Sequence, residues 1–225
     1  MFARDSNRSF ILSDIMNSVM ASPTVPPSFE KCDVLAAVIL MGTDTEPISR
    51  SVLMKNLNIK EGPIKTLLKR LEQNGLVTSV ANRGHILSEE GRAWHQKLRK
   101  RIIRNKQVQV PGLSLKESAY GIQLRGLADL VASGIEQRDL ALLVGASGAT
   151  TLTFQGGALK VPSVSGEALD EETLKELNSE FRFQDGDIVI VGMGRTPSDA
   201  LRGAFNAALS LLVRLDESTS HRQQK

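Results

Sequence analysis

Residues 61–75 read EGPIKTLLKRLEQNG, and this stretch decides what the first half of the chain is. Ile64, Leu67, Leu68 and Leu71 fall at i, i+3, i+4 and i+7, which is one face of an α-helix. Pro63 fits only a first helical turn, because it has no N–H to give to a preceding carbonyl. Gly75 supplies a residue tolerant of left-handed backbone to end the helix. The face away from the leucines carries Lys65, Thr66, Lys69, Arg70 and Gln73, which are donors for phosphates and base edges. Alone, such a face is a solvated one; the neighbouring segments give it meaning.

Upstream, residues 28–41 read as a helix with Val34, Leu35, Val38, Ile39 and Met41 apolar, Ser28 as N-cap and Gly42 as terminator. A polar loop leads to a short helix over residues 49–56, with Val52, Leu53 and Leu57 inward. Helix, short helix, turn, helix is the helix-turn-helix order. Downstream, residues 76–80 (LVTSV) are β-prone and residues 81–84 (ANRG) form a turn that tolerates positive φ. Residues 85–88 return as a second strand. This hairpin is expected to carry Arg83 and His85 at its tip. A further helix is expected from residue 89 to about 105. Lys97, Arg99, Lys100, Arg101, Arg104 and Lys106 make it basic, and Trp94, Leu98 and Ile102 give it an apolar stripe. Such a connecting helix would support a dimer and lie near phosphates.

The run LLKRLEQNGLVTSVANRGHILSEEGR, residues 67–92, resembles the winged-helix DNA-binding domains of bacterial and archaeal transcription regulators of the MarR and ArsR type. The resemblance covers roughly residues 28–105. It implies a third helix in the major groove and a wing against the backbone or minor groove. Carried over by position, the groove-facing residues are Glu61, Pro63, Lys65, Thr66 and Lys69, with Arg83 in the wing. Arg50, Lys60, Arg70 and His85 complete the expected contacts to double-stranded DNA. The chain departs from the family in having Glu61-Gly62-Pro63 where many members place Ser or Thr, which leaves fewer side-chain donors for base edges.

Charge supports a divided chain. Residues 1–106 hold 17 Lys and Arg against 10 Asp and Glu, a net of +7; residues 107–225 hold 11 against 15, a net of −4. Only the first half is suited to a polyanion. One cysteine, Cys32, excludes an internal disulfide framework, and His85, His95 and His221 do not cluster as ligands. No apolar run approaches the roughly 20 residues that span a bilayer. No signal peptide is read, and a cytoplasmic location is expected.

Residues 1–27 read as a flexible arm in which Phe10, Ile11, Ile15, Val19 and Met20 could make one short helix. Residues 28–106 are the winged-helix domain, 107–215 a dimerisation or ligand-sensing domain, and 216–225 a polar tail. In the second half, residues 108–115 read as a linker, 119–124 as a strand and 127–132 as a short helix. Residues 139–145 (DLALLVG) read as a buried strand, and 150–154 and 158–161 as a hairpin about Gly156-Gly157. An acidic helix over 170–181, a buried strand over 187–191 and an Ala/Leu-rich helix over 198–213 follow. The fold class is α/β (α+β mixed): an N-terminal winged helix joined by a basic helix to a C-terminal mixed-sheet α/β domain. RGLADLVASG, LLVGASGATTL and DIVIVGMG are similar to an uncharacterised domain that follows winged helices in archaeal proteins; that likeness carries no chemistry.

Two glycine loops suggest a small anionic ligand. Gly145, Ser147 and Gly148 stand in one; Gly192, Gly194, Arg195 and Ser198 stand in the other, between a strand and a helix N-terminus. Pro197 replaces the last glycine of a G-x-G-x-x-G pattern, and there is no Walker lysine. No carboxylate pair, nucleophile–histidine set or metal cluster is visible in this half, so no enzyme, cofactor or metal is expected. The sequence favours a homodimeric DNA-binding transcriptional regulator. An enzyme with a phosphate-binding glycine loop and a protein-assembly factor remain open alternatives.

Overall fold

The computed structural model describes residues 12–22, 25–43, 45–113, 118–162 and 169–223. Phe10 and Ile11 of the expected first helix, and residues 114 and 115 of the expected linker, lie outside the described residues. Eight α-helices and seven strands in two sheets occur among the described residues, so the protein belongs to the mixed α/β class.

The N-terminal part is built from α1 (Leu12–Met20), α2 (Lys31–Met41), α3 (Arg50–Leu57), α4 (Glu61–Gln73) and the hairpin β1 (Val77–Val80) and β2 (Gly84–Leu87). The leucine face of α4 is buried as its spacing predicts: Ile64, Leu67, Leu68 and Leu71 are in the core. α3 buries Leu53 and Leu57, but Val52 is 44% exposed and not inward. α2 starts at Lys31, later than expected. Its cap comes from Asp33, whose carboxylate accepts the Glu30 N–H at 2.8 Å, and not from Ser28.

α5 (Glu89–Arg99) follows the hairpin, capped by Ser88, whose hydroxyl accepts the Gly91 N–H at 2.9 Å. Gly91, in the LSEEGR segment over residues 87–92, is glycine for a steric reason. A Cβ there would lie 1.9 Å from the Leu76 carbonyl oxygen, so α5 can seat against the end of α4 only with glycine. The basic helix expected to reach residue 105 stops at Arg99. Ile102 and Ile103 are β-branched and favour a pleated surface, and the chain turns into β3 (Ile102–Val108). Gln107 and Val108, expected in or beside a linker, belong to this strand.

The second sheet has the order β3-β4-β7-β5-β6, with β4 (Ser118–Leu124), β5 (Gly148–Gln155), β6 (Ala158–Lys160) and β7 (Ile188–Gly194). Each of its pairings is antiparallel. β7 is apolar throughout because both faces are covered. Ile188 and Ile190 point to the main core, while Val189 and Val191 point to a smaller core closed by Leu177 and Phe181 from the α7 (Glu171–Glu180) side. The segment expected as a strand over 139–145 is instead helix α6 (Ile135–Leu143), with Leu142 and Leu143 exposed. An apolar run of this length does not distinguish strand from helix. The helix expected over 127–132 is a single 3-10 turn at Ala128–Leu130.

The last helix, α8 (Pro197–Gln223), is longer than expected and runs through the first part of the predicted polar tail. Asp216 in that segment accepts the Leu12 N–H, and Leu12, Met16 and Val19 of α1 are buried. α8 packs on β4 and β7 on one side and on α2 and α3 on the other. One hydrophobic core therefore runs from α1 to α8 through both parts of the chain. α2 is apolar all round because it is enclosed by the winged unit and α8 together.

A buried ion pair fixes this junction. Asp33, fully buried on α2, accepts from Arg202 Nε at 2.8 Å and Nη2 at 3.2 Å, and Arg202 Nη1 donates to the Val144 carbonyl at 3.2 Å. We predict that Asp33→Ala lowers unfolding free energy by roughly 3–5 kcal/mol, read by urea titration, because it strands the guanidinium. The paired change Asp33→Leu with Arg202→Met should recover most of that loss. If the single and double variants unfold alike, the ion pair does not set the cost.

Candidate nucleic-acid interface

The exposed side of α4 and the wing enclose an open groove of about 600 Å³. Arg50 enters it from the first turn of α3, Lys65 and Lys69 from α4, and Arg83 from the turn of the wing. The geometry of the wing follows from local constraints. Ile48 exchanges backbone hydrogen bonds with His85 at 2.8 and 2.9 Å, so the hairpin is bridged to the segment before α3. Gly84 sits at φ 119°, and a Cβ there would meet the Ile48 carbonyl oxygen at 2.3 Å. Asn82 takes the left-handed conformation in the turn at φ 60°.

The four cations are exposed, and two of them hold acidic partners. Lys65 Nζ lies 2.6 Å from Glu61, which holds that carboxyl below its ordinary range, and Arg83 is paired with Glu46. Exposed pairs of this kind are screened by solvent and contribute little, so a phosphate can replace either carboxylate at small cost. Ser49, Ser79 and Asn82 also line the groove and add neutral donors. They carried no sequence signal, since isolated serines beside strands and caps are common.

The other expected contacts are placed differently. Arg70 is not among the groove's lining residues; its Nη1 donates to the Val19 carbonyl at 2.9 Å and its guanidinium lies over the Phe29 ring at 5.8 Å. It ties α4 to α1. Thr66 is exposed on α4 but outside the groove, its hydroxyl donating to the Gly62 carbonyl at 3.1 Å. Lys60 is the exposed N-cap residue of α4, also outside the groove. His85 is not at the wing tip. It lines the groove from β2, opposite Ser79 and largely covered, with Nε2 3.6 Å from Glu72 and a buried Nδ1 that has no hydrogen-bond partner.

The two glycine loops do meet at one end of the sheet, where Gly148 pairs with Met193 and the Ser147 N–H donates to the Met193 carbonyl at 2.8 Å. Packing accounts for the second loop's glycines. A Cβ on Gly192 would lie 2.4 Å from the Ala200 carbonyl oxygen, and one on Gly194 2.7 Å from the Ala200 nitrogen. These glycines let α8 lie directly on β7. The N-terminus of α8 caps itself: Thr196 N–H donates to Asp199 Oδ2 and Asp199 N–H to Thr196 Oγ1, each at 3.2 Å. Ser198 is spent on the Lys55 carbonyl at 2.8 Å, and Arg195 is exposed. The Thr196 and Asp199 N–H groups and the Ser198 hydroxyl are thus engaged within the fold, while the Arg195 side chain faces solvent.

Residues 30–93 match the family model described as PH0730-like, N-terminal domain, and residues 115–211 match a domain of unknown function, DUF4443. The solved structure of hypothetical protein PH0730 from Pyrococcus horikoshii OT3 is similar at 27% identity. The match covers 82% of this chain and 93% of that one, with a TM-score of 0.68. The likeness spans both parts of the fold. No curated protein matches the chain. Among the described residues, no helix is long and apolar enough to cross a membrane.

Burial holds His85 below the ordinary histidine value of 6.5, with Arg50 acting in the same direction and Glu72 opposing. Burial and then Arg99 do the same to His95. A histidine whose folded pKa is depressed takes up its proton first in the unfolded chain, so its contribution to stability is complete above 6.5 and declines as pH falls below it. Unfolding free energy measured by urea titration should therefore fall below about pH 6.5. The H85N/H95N double variant should flatten that limb of the profile; an unchanged limb would assign it to other groups.

Proposed function

We propose that this protein is a DNA-binding regulator that grips duplex DNA between α4 and the wing and carries out no chemistry of its own. The observation that supports this most directly is the convergence of Arg50, Lys65, Lys69 and Arg83 on one groove beside a helix. Cations so placed neutralise backbone phosphates and release their counterions, which supplies sequence-independent affinity. Lys65 and Lys69 lie one helical turn apart, a spacing suited to following one strand of the duplex. Glu72, on the inner side of the groove, repels a phosphate placed deeper and so sets the register of the backbone. Base-edge contacts fall to the first two turns of α4, where Glu61-Gly62-Pro63 offers few donors; discrimination among sequences should accordingly be modest.

Pairing of two chains on one site belongs to the same proposal, because a single winged unit reads a short half-site. The exposed Ile135, Leu142 and Leu143 of α6 provide an apolar surface for that contact.

The test is fluorescence anisotropy with pooled genomic duplexes over a salt series, including the stoichiometry at saturation. Lys65→Ala and Lys69→Ala should each weaken binding and lower the slope of log K against log salt by about 1. Arg70→Ala should reduce stability but leave that slope intact. Salt-insensitive binding, or equal slopes for the lysine variants and the parent, would overturn the groove assignment.

A further inference from the structure

A second cavity, of about 380 Å³, lies between the end of α2, the last turns of α5, the edge strand β3 and its neighbour β4. Its walls therefore come from both parts of the chain: Gly42, His95 and Arg99 from the winged unit, Arg104, Asn105 and Tyr120 from the sheet. The volume falls in the range of small-molecule sites. Nothing in the DNA groove or the glycine loops uses these residues.

The hydrogen-bonding capacity left in this cleft is on the donor side. A guanidinium has five N–H donors. Arg99 uses Nη2 on the Ile103 carbonyl at 2.8 Å. The nearest carboxylate of Arg104 is Glu180 at 3.8 Å, and that carboxylate is held more closely by Lys106. Asn105 Oδ1 accepts from the Tyr120 hydroxyl at 2.8 Å, so its amide NH2 remains to donate. Burial pushes the Tyr120 phenol up to about 12, which keeps it a neutral donor to Asn105.

Several backbone acceptors around the cleft are already occupied. At the end of α2, Gly42 N–H takes the Val38 carbonyl at 3.0 Å, Thr43 Oγ1 takes Ile39 at 3.0 Å and Thr43 N–H takes Leu40 at 3.3 Å. At the end of α5, Lys100 and Arg101 N–H groups take the carbonyls of Lys97 and Leu98. No carboxylate lines the cavity among the described residues. His95 packs its ring over Gly42, where a Cβ would lie 2.3 Å from Cδ2, so glycine is what lets the imidazole sit in the wall.

We propose that this cleft binds a small oxyanion-bearing metabolite, a carboxylate or phosphate ester, held by Arg99 and Arg104 with the Asn105 amide as a third donor. Two guanidiniums lining one cleft, from α5 and from β3, match one dianion and can give it bidentate contacts. An anion bridging them ties α5, which leads out of the wing, to β3 of the sheet. Its use as an effector rests on the DNA-binding reading above; its binding does not.

The experiment uses the full chain without DNA and two probes, citrate and inorganic phosphate, each at ionic strength held constant with chloride. Isothermal calorimetry and thermal unfolding are read for the parent, R99Q/R104Q, R104Q alone and the groove variant K65A/K69A. Saturable one-to-one binding of at least one probe, with a raised Tm, is expected. R99Q/R104Q should weaken it by roughly tenfold or more, R104Q in part, and K65A/K69A not at all. The stronger probe tells a carboxylate ligand from a phosphate one. Both arginines are solvent-accessible, and R104Q, which changes one side chain, guards against a folding defect in the double variant. The assignment is overturned if neither probe saturates, if R99Q/R104Q binds like the parent, or if K65A/K69A abolishes binding. Loss of DNA binding with citrate or phosphate binding intact would sink the regulator reading alone, and the reverse result the cleft alone.

Discussion

The approach of α8 to two partners at once is the constraint on which the rest of the fold depends. On one side its alanines Ala200, Ala204, Ala207 and Ala208 are fully buried, and Gly192 and Gly194 of β7 leave no side chain between helix and strand. On the other side it lies on α2 and α3, with Arg202 reaching Asp33. Close backbone contact on both sides explains why α8 is Ala-rich where an ordinary core helix carries larger residues. It also explains a buried charge pair in an otherwise apolar junction. The pair contributes little net stability when intact, but Arg202 also engages the Val144 carbonyl, so three elements, α2, α6 and α8, have one register. A slipped arrangement would leave the buried Asp33 carboxylate without its guanidinium.

That constraint bears on how the functional surfaces relate. A strand, two glycines and a helix N-terminus form a phosphate cradle when the helix end is open. Here the helix end is closed by Thr196 and Asp199, and the glycines are spent on packing. The same sequence pattern therefore serves two physical ends, and only the occupancy of the N–H groups separates them. In the groove the position is reversed. Lys65 and Arg83 hold carboxylates that are exposed and easily exchanged, and Lys69 and Arg50 stand beside them.

Much of the N-terminal part was legible in the sequence, because its elements are short, local and bounded by strong punctuation. The 3-4 spacing of α4, its proline and terminal glycine, and the Asn-Arg-Gly turn each state one structure. The groove cations Lys65, Lys69 and Arg83 follow from those elements by position. Arg70 was misplaced because helical periodicity alone gives no edge to the polar face; it lies at the margin where α1 covers α4, a contact made by residues 51 positions away. His85 is set back from the wing tip by one residue, since the second strand begins at Gly84, yet it still lines the groove. The C-terminal part was less legible where burial hides periodicity. Residues 139–145 are apolar enough for either structure, and the preference goes to helix because Gly134 takes a left-handed conformation at its start and α8 supplies a wall for Ala141. The basic run around residue 100 looked like one helix because charge does not report the change from Arg99 to Ile102. The cleft could not be seen at all, as its residues come from positions near 42, 95, 104 and 120.

A continuous core also limits how the two parts can communicate. If the winged unit and the sheet had separate cores, a hinge between them could open at small cost. Here α2 is enclosed by both, and parting them would expose Cys32, Leu35, Ala36 and Ile39 along with the Asp33 carboxylate. Burial also pushes the Cys32 thiol up, so this side of α2 stays neutral apart from the one paired carboxylate. The chain reversal between α5 and β3 is short, Lys100 and Arg101 alone separating the helix from a strand that begins with a bulge at Ile102 and Arg104, and its flanking residues Leu98 and Ile102 lie in the same core. Nor can α5 move there by itself, since Trp94 is buried in that core and the wing it follows is bridged through His85 to Ile48, ahead of α3. The distance between the wing and α4 is therefore set by the shared core and the Ile48 bridge, not by a free hinge.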